Sequence, residues 1–399
     1  MGTSFAQKCV DCGHAVGEVF QKKCPKCRGP VEFEHDLSAF RLRSDPNPHR
    51  RFFDLLPYND PEQIVWLGDG NTPCFRAEGL GRRLGLTQCY LKDETKNPTR
   101  TTKDRMASAV LSNFRRLGIT EFLTCSTGNS STSLARGVID HPEFRMHLYV
   151  ADGFLDRMNF ADAPNVSVYL LEGASFAAAF NQGQRHCEKS GMVFEAGFFN
   201  PARRAGLKMA FLEAVEQTKI SFDWYVQAVS SGMGVFGTYK AATELKGVGM
   251  IDRLPKLCCV QQESCAPMVR AYEEGSPDIK PHHIVRQPSG IARDILRGDP
   301  SLVYPSMARI VRESGGAFVS VAEADIRRMR SLVLETESLD IGFTAAATVV
   351  AVERLASSGR IAPNERVLVN ISGGDRVNPV VPSKVRRLAK IGQDIWESP

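Results

Sequence analysis

Short apolar runs punctuate this chain, and between them apolar positions recur every three or four residues. The runs fall at 89–91, 121–125, 147–150, 166–170, 224–229, 257–260, 315–319 and 367–371, each short enough for a strand. The periodic stretches fall between them. Met106, Val110 and Phe114, spaced by four, give one buried stripe to a helix beginning near Lys103, and 175–188 and 323–338 also fit helices. Strands alternating with helices predict an α/β chain with a mainly parallel sheet and its ligand at the carboxyl ends of the strands. Two stretches fit neither period. Residues 30–65 carry aromatic patches (Phe40, Phe52, Phe53, Tyr58) and many prolines and read as a connector, whereas 287–299 suggest a loop over the site.

A length of 399 residues suits two domains or one large α/β unit with an appendage. The formal charge of +5 is spread without a lysine- or arginine-rich block, so nothing points to nucleic acid. No apolar run reaches membrane-spanning length and no signal-peptide core stands at the N-terminus, so the expectation is a cytoplasmic protein. Eleven cysteines would be odd for a disulfide framework in a chain this large. Four of them form two Cys-x-x-Cys pairs, Cys9/Cys12 and Cys24/Cys27, separated by eleven residues and resembling a zinc ribbon. Four thiolates around Zn2+ leave no open position, so the role expected is structural. Cys258 and Cys259 read as core thiols, and His282-His283, flanked by proline, as surface residues.

Candidate chemistry lies at three strand-to-helix transitions. After 89–91 comes Asn97-Pro98-Thr99-Arg100-Thr101-Thr102-Lys103-Asp104-Arg105, with a turn signal at Asn97-Pro98 and Thr101 or Thr102 as helix cap. Lys103 then sits on a first helical turn, where the dipole favours the neutral amine that a Schiff-base lysine needs. Read alone, the same stretch also suits a surface lysine paired with Asp104 or Glu94. After 121–125 comes Ser126-Thr127-Gly128-Asn129-Ser130-Ser131-Thr132-Ser133, a hydroxyl-rich loop opening a helix and built to receive an anion. After 224–229 comes Ser230-Ser231-Gly232-Met233-Gly234, in which glycine lets backbone N–H groups curl round a phosphate.

The order of these pieces resembles the threonine synthase and cysteate synthase family, pyridoxal-phosphate enzymes of fold type II. Asn97–Arg105 is similar to its cofactor-lysine motif, 67–73 to its entry segment, and Asn200-Pro201-Ala202-Arg203-Arg204-Ala205-Gly206 to its arginine segment. The stretch 340–347 is similar to its Glu-Pro-x-Ser-Ala-Ala segment, with Asp340 for Glu and Gly342 for Pro. The resemblance implies two lobes of open, twisted, mainly parallel sheets with helices on both faces, plus the added ribbon. It divides the chain into a ribbon at 1–35, a connector at 36–66 and a catalytic region at 67–399, with a small lobe at about 105–200 inserted in a larger one. It implies that Lys103 binds pyridoxal 5′-phosphate and is the catalytic base. Asn129 would meet the cofactor's 3′ oxygen, Ser230, Ser231, Gly232, Met233 and Gly234 its phosphate, and Ser372 its pyridine nitrogen. Ser126, Thr127 and Ser130 would hold the substrate, Arg203 would grip a phosphate with its guanidinium fork, and Arg100 would add an anion contact. Arg204 would be the surface charge of the pair.

The activity so implied acts on a small amino-acid substrate: phosphate leaves the side chain and a nucleophile replaces it. With O-phosphohomoserine and water the product is threonine; with O-phosphoserine and sulfite it is cysteate. Gly197-Phe198 stands where threonine synthases place Asn-Ser, which weakens the threonine reading. Other readings are a dehydratase-like β-elimination that needs no phosphate grip, and a silent relative acting as a binding protein. A homodimer is the family's habit.

Overall fold

The computed structural model describes residues 5–397. Its strands in chain order are β1 (Phe5–Cys9), β2 (Ala15–Val16), β3 (Val31–His35), β4 (Cys74–Arg76), β5 (Cys89–Asp93), β6 (Glu121–Cys125), β7 (Arg145–Ala151), β8 (Val166–Leu171), β9 (Val193–Phe194), β10 (Trp224–Ala228), β11 (Lys256–Gln262), β12 (Ala317–Val321), β13 (Val367–Ile371) and β14 (Val385–Leu388), followed by a two-stranded sheet of β15 (Lys390–Gly392) and β16 (Ile395–Trp396). The chain forms two compact units. One holds Met1–Asp69, Lys103–Gly206 and Arg376–Pro399; the other holds Gly70–Thr102 and Leu207–Asp375. Among the described residues no helix is long and apolar enough to cross a membrane.

In the first unit β2, β1 and β3 form a small antiparallel sheet, the ribbon. A second sheet runs in the order β14-β8-β7-β6-β9 with every pair parallel. The helix Lys103–Arg116 buries Met106, Val110 and Phe114 completely, as their spacing predicts. The helix Pro201–Leu207 lies hard against it. A side chain at Gly206 would collide with the Arg105 carbonyl and the Ala109 methyl, so the missing Cβ is what allows the two backbones to close. Ser175 caps the helix Phe176–Ser190 by accepting from the Ala178 N–H at 3.2 Å, and Gly191, at φ +75°, ends it.

Arg204 is no surface charge. It is wholly buried and donates to Glu32, to the Val31 carbonyl and to the Phe198 carbonyl, so it anchors ribbon strand β3 to the arginine segment. Its planar guanidinium can serve all three at once, which a lysine could not.

The second unit holds one sheet in the order β12-β11-β10-β13-β5-β4, parallel throughout except for the β4–β5 edge. Every residue of β10 and β13 is buried, as parallel strands covered on both faces require, and the two polar residues among them, Gln227 and Asn370, are hydrogen-bonded to each other. The helix Phe343–Ser357 buries Ala345, Ala346, Ala347, Val349 and Val350 completely; a helix apolar on nearly every side belongs inside a core. Cys258 and Cys259 lie in that core, and burial pushes the Cys258 thiol up to about 12. Residues 287–299 contain a single turn of helix, Arg293–Ile295, and are tied to β11 where the Ala292 N–H donates to Gln262 Oε1 at 2.9 Å.

Candidate active site

In the first unit, Lys103 opens its helix and is half-buried, whereas Asp104, Arg105 and Met106 after it are buried. The cap differs from expectation. The Thr102 hydroxyl is buried without a hydrogen-bond partner, and the Thr101 hydroxyl donates to the Ser372 carbonyl at 3.4 Å. At the end of β6, Gly128 takes φ +144° and leads into the helix Asn129–Asp140 without a capping side chain. Ser126 Oγ instead accepts from the Gly128 and Ser131 N–H groups, both at 3.2 Å, which folds the loop back over the helix start. Cys125, just before this loop, is no nucleophile, because burial holds its thiol well above the ordinary value. The Asn129 side-chain oxygen accepts from Arg376 Nη2 at 2.5 Å.

Arg203 does reach this loop: its Nη1 lies 3.2 Å from Ser130 Oγ. Its fork, however, is already filled. Nε donates to Glu195 Oε1 at 2.5 Å, Nη2 donates to Glu195 Oε2, and Nη2 also meets Thr124 Oγ1 at 3.4 Å. Glu195 is wholly buried, and its oxygens also accept from Asn200 Nδ2 at 2.9 Å and Thr124 Oγ1 at 3.1 Å. A guanidinium carries five N–H donors. Four are spent, and the two on one side pair with a carboxylate that cancels the charge. The bidentate phosphate grip expected of Arg203 is therefore not what its geometry offers.

In the second unit, Gly232 follows β10 at φ +81° and caps the helix Met233–Gly247 with backbone alone. A Cβ on Gly232 would collide with the Met307 thioether, and one on Gly234 with the Gln227 amide. Strand, glycine turn and uncapped helix N-terminus together make an anion-receiving end. Gln227 accepts from Tyr225 Oη at 2.6 Å and from Asn370 Nδ2 at 3.2 Å, which ties β10 to β13 beneath that end. Ser372 follows β13. Its carbonyl accepts from the Thr102 N–H at 3.0 Å, while Thr101 bridges to Gly373, so the segment just before the lysine is zipped to the serine turn. Arg100 serves this turn: Nε donates to the Asp375 carbonyl at 2.7 Å, and Nη2 reaches the Asp340 carbonyl at 3.4 Å.

Among the described residues, two clusters bring potential metal ligands together. The Sγ atoms of Cys9, Cys12, Cys24 and Cys27 all lie within 4.8 Å of one another, with nearest pairs at 3.4–3.7 Å. Zinc–sulfur bonds of about 2.3 Å in a tetrahedron require sulfur edges of about 3.8 Å, so the donor set fits Zn2+. The other cluster is Glu274, His282 and His283. His283 is wholly buried and not the surface residue expected. Its Nδ1 accepts from the Lys280 N–H at 2.9 Å, so Nε2 carries the proton, and that nitrogen faces Glu274 at 3.0 Å. A ring bonded in this way has no lone pair for a metal. Because Arg204 couples β3 to the arginine segment, chelating metal from the ribbon is expected to lower the melting temperature. It should also open 9–35 to protease, read by limited proteolysis with and without chelator.

Comparison with known proteins places this geometry. Residues 65–373 match the family model described as pyridoxal-phosphate dependent enzyme. The chain belongs to that family. Among its relatives is the threonine synthase of Methanocaldococcus jannaschii, 27% identical over 391 residues, covering 94% of this chain and 93% of that protein. Another is the cysteate synthase of Methanospirillum hungatei, 26% identical over 388 residues, with 93% and 90% covered. Among solved structures, threonine deaminase isoform 2 of Solanum lycopersicum aligns with TM-score 0.63 at 18% identity, over 85% of this chain and 93% of that one. Maize serine racemase gives TM-score 0.63 at 15% identity, with 77% and 89% covered. The structural likenesses bear on the fold, which is fold type II as expected.

Membership in a pyridoxal-phosphate enzyme family favours the enzyme reading over that of a binding protein. Glu195, Asn370 and Arg376 were not singled out from the sequence. A glutamate following a two-residue strand, an asparagine inside an apolar run and an arginine after a glycine turn carry no spacing signal. Gly197, at φ +59°, was the nearest hint, since it marks a turn that folds Glu195 back toward Arg203.

Proposed function

We propose that this chain removes a leaving group from the side chain of an α-amino acid and replaces it, using pyridoxal phosphate. When bound, that cofactor supplies the electron sink that makes the amino acid's α-hydrogen removable. Lys103 would hold the cofactor, and its amine would take the proton from Cα and return it at the neighbouring carbons. In the first unit Asn129 would donate to the cofactor's 3′ oxygen, while Ser126, Thr127 and Ser130 would orient the substrate carboxylate. In the second unit the Ser230–Gly234 turn would take the cofactor's phosphate on its N–H groups, and Ser372 would meet the pyridine nitrogen. The residues present fit such a group: glycine at φ +81° before an uncapped helix receives a phosphate, and the buried Thr102 hydroxyl beside Lys103 in sequence still has hydrogen-bonding capacity to offer.

Ser372 carries this reading. It stands at the end of β13, and its carbonyl accepts from the Thr102 N–H one residue before the lysine. A hydroxyl, unlike a carboxylate, leaves the pyridine nitrogen unprotonated, so charge at the substrate carbons is absorbed less completely and elimination is favoured over transamination. The names of the relatives support phosphate as leaving group, with O-phosphohomoserine and water giving threonine, or O-phosphoserine and sulfite giving cysteate. The Glu195–Arg203 pair favours a second reading, an elimination whose leaving group is uncharged. A homodimer in the cytoplasm belongs to the same proposal.

Parallel assays decide among these. Phosphohomoserine, phosphoserine with and without sulfite, serine and threonine are offered to loaded enzyme, and phosphate, amino-acid and keto-acid products are identified. Phosphate with threonine or cysteate supports the first reading, and a keto acid from unphosphorylated substrate supports the second. Transamination products alone would overturn both. The phosphate turn has its own test. Gly232→Ala forces a side chain into the left-handed region, at a cost of roughly 1–2 kcal/mol, and against Met307. The expected result is a loss of cofactor affinity of tenfold or more, on the order of that penalty, measured by fluorescence titration.

A further inference from the structure

Arg376 follows the serine turn and belongs to the first unit. Its Nη2 lies 2.5 Å from Asn129 Oδ1, and its Nη1 lies 3.3 Å from the Arg157 carbonyl. A carboxamide has one accepting oxygen and one donating nitrogen, and a guanidinium can pair only with the oxygen. The contact therefore decides which way Asn129 faces, with Oδ1 toward Arg376 and the Nδ2 hydrogens away from it. The surroundings hold the cation in place. Gly128, adjacent to Asn129, packs so closely on Arg157 that a Cβ there would lie 3.2 Å from the Arg157 Cβ. The carbonyl that anchors Arg376 and the loop that carries Asn129 thus form one packed cluster.

We propose that Arg376 is a positioning residue that locks the Asn129 amide in its donor orientation toward the cofactor's 3′ oxygen. The inference rests on the reading that Asn129 serves the cofactor. An amide turned the other way would present its oxygen to an oxygen anion and repel it. An amide free to rotate would divide its time between the two orientations.

The test uses full-length, cofactor-loaded protein carrying Asn129→Ala, Arg376→Ala, both together, or Arg376→Lys. The readouts are the visible absorption band of the lysine-bound cofactor, its pH dependence and the cofactor dissociation constant. Each alanine variant is expected to weaken cofactor binding by about tenfold, the worth of one charge-assisted hydrogen bond. Each should displace the band in the same direction. The double variant should be no worse than Asn129→Ala alone, since the arginine acts through the amide. Arg376→Lys keeps a cation within reach and should recover most of the band; if the alanine variant fails to fold, the lysine variant is still read against wild type. A normal band and affinity in Arg376→Ala beside a clear loss in Asn129→Ala would overturn the proposal, as would additive losses in the double variant. No effect of Asn129→Ala would instead overturn the assignment of Asn129, and the proposal with it.

Discussion

Lys103→Ala protein is expected to fold, to lose the visible absorbance of a covalently held cofactor and to turn over substrate at least 10³-fold more slowly. The magnitude follows from two losses. A positioned base contributes roughly 10²–10⁴-fold to proton transfer, and removing the covalent tether adds to that. Folding survives because Lys103 is half-buried at the first turn of its helix, and the stripe that holds the helix, Met106, Val110 and Phe114, is untouched. Spectra, melting curves and single-turnover rates of the variant measure the three parts separately. Residual turnover within tenfold of wild type would place the base elsewhere.

Arg203→Ala is expected to destabilise the protein by about 3–5 kcal/mol, because it strands the Glu195 carboxylate in a site with no exposure to water. The pairing of Arg203→Met with Glu195→Gln removes both charges and should recover most of that loss, which chemical denaturation can measure. The same pair informs on substrate. Glu195→Gln restores the net charge of Arg203 and frees part of its fork, so inorganic phosphate should inhibit that variant more strongly than it inhibits wild type. If phosphate already inhibits wild type as strongly as the variant, the carboxylate does not quench the arginine, and the phosphate reading gains ground. If a single alanine at Arg203 costs no more than the double substitution, the buried pair is not the unit its geometry indicates.

The parts of this site legible in the sequence are those where backbone geometry dictates residue type. Glycine is favoured at 232 because its φ is +81°, and a glycine turn between a strand and a helix announces itself by composition. The two Cys-x-x-Cys pairs carry their spacing in the chain. The helix that Lys103 opens was legible from the buried stripe that follows it. Partnerships across long stretches of chain were not. Arg376 meets Asn129, Arg204 meets Glu32 and Arg100 meets the Asp340 carbonyl, and in each case the arginine looks the same in sequence as one on the surface. Burial decides the role of an arginine, and no local pattern records it. For the same reason the hold of the serine turn's backbone carbonyls on Arg100 leaves no trace in the local sequence. His283 was misplaced because its neighbour His282 is exposed while its own ring is enclosed.

The most direct test of the account is to reduce the cofactor-loaded protein with borohydride, digest it and locate the pyridoxyl group by peptide mass. The account predicts a single modified lysine, Lys103, on the peptide that opens the Lys103–Arg116 helix. Modification of any other lysine, or none in protein shown to bind the cofactor, would contradict it.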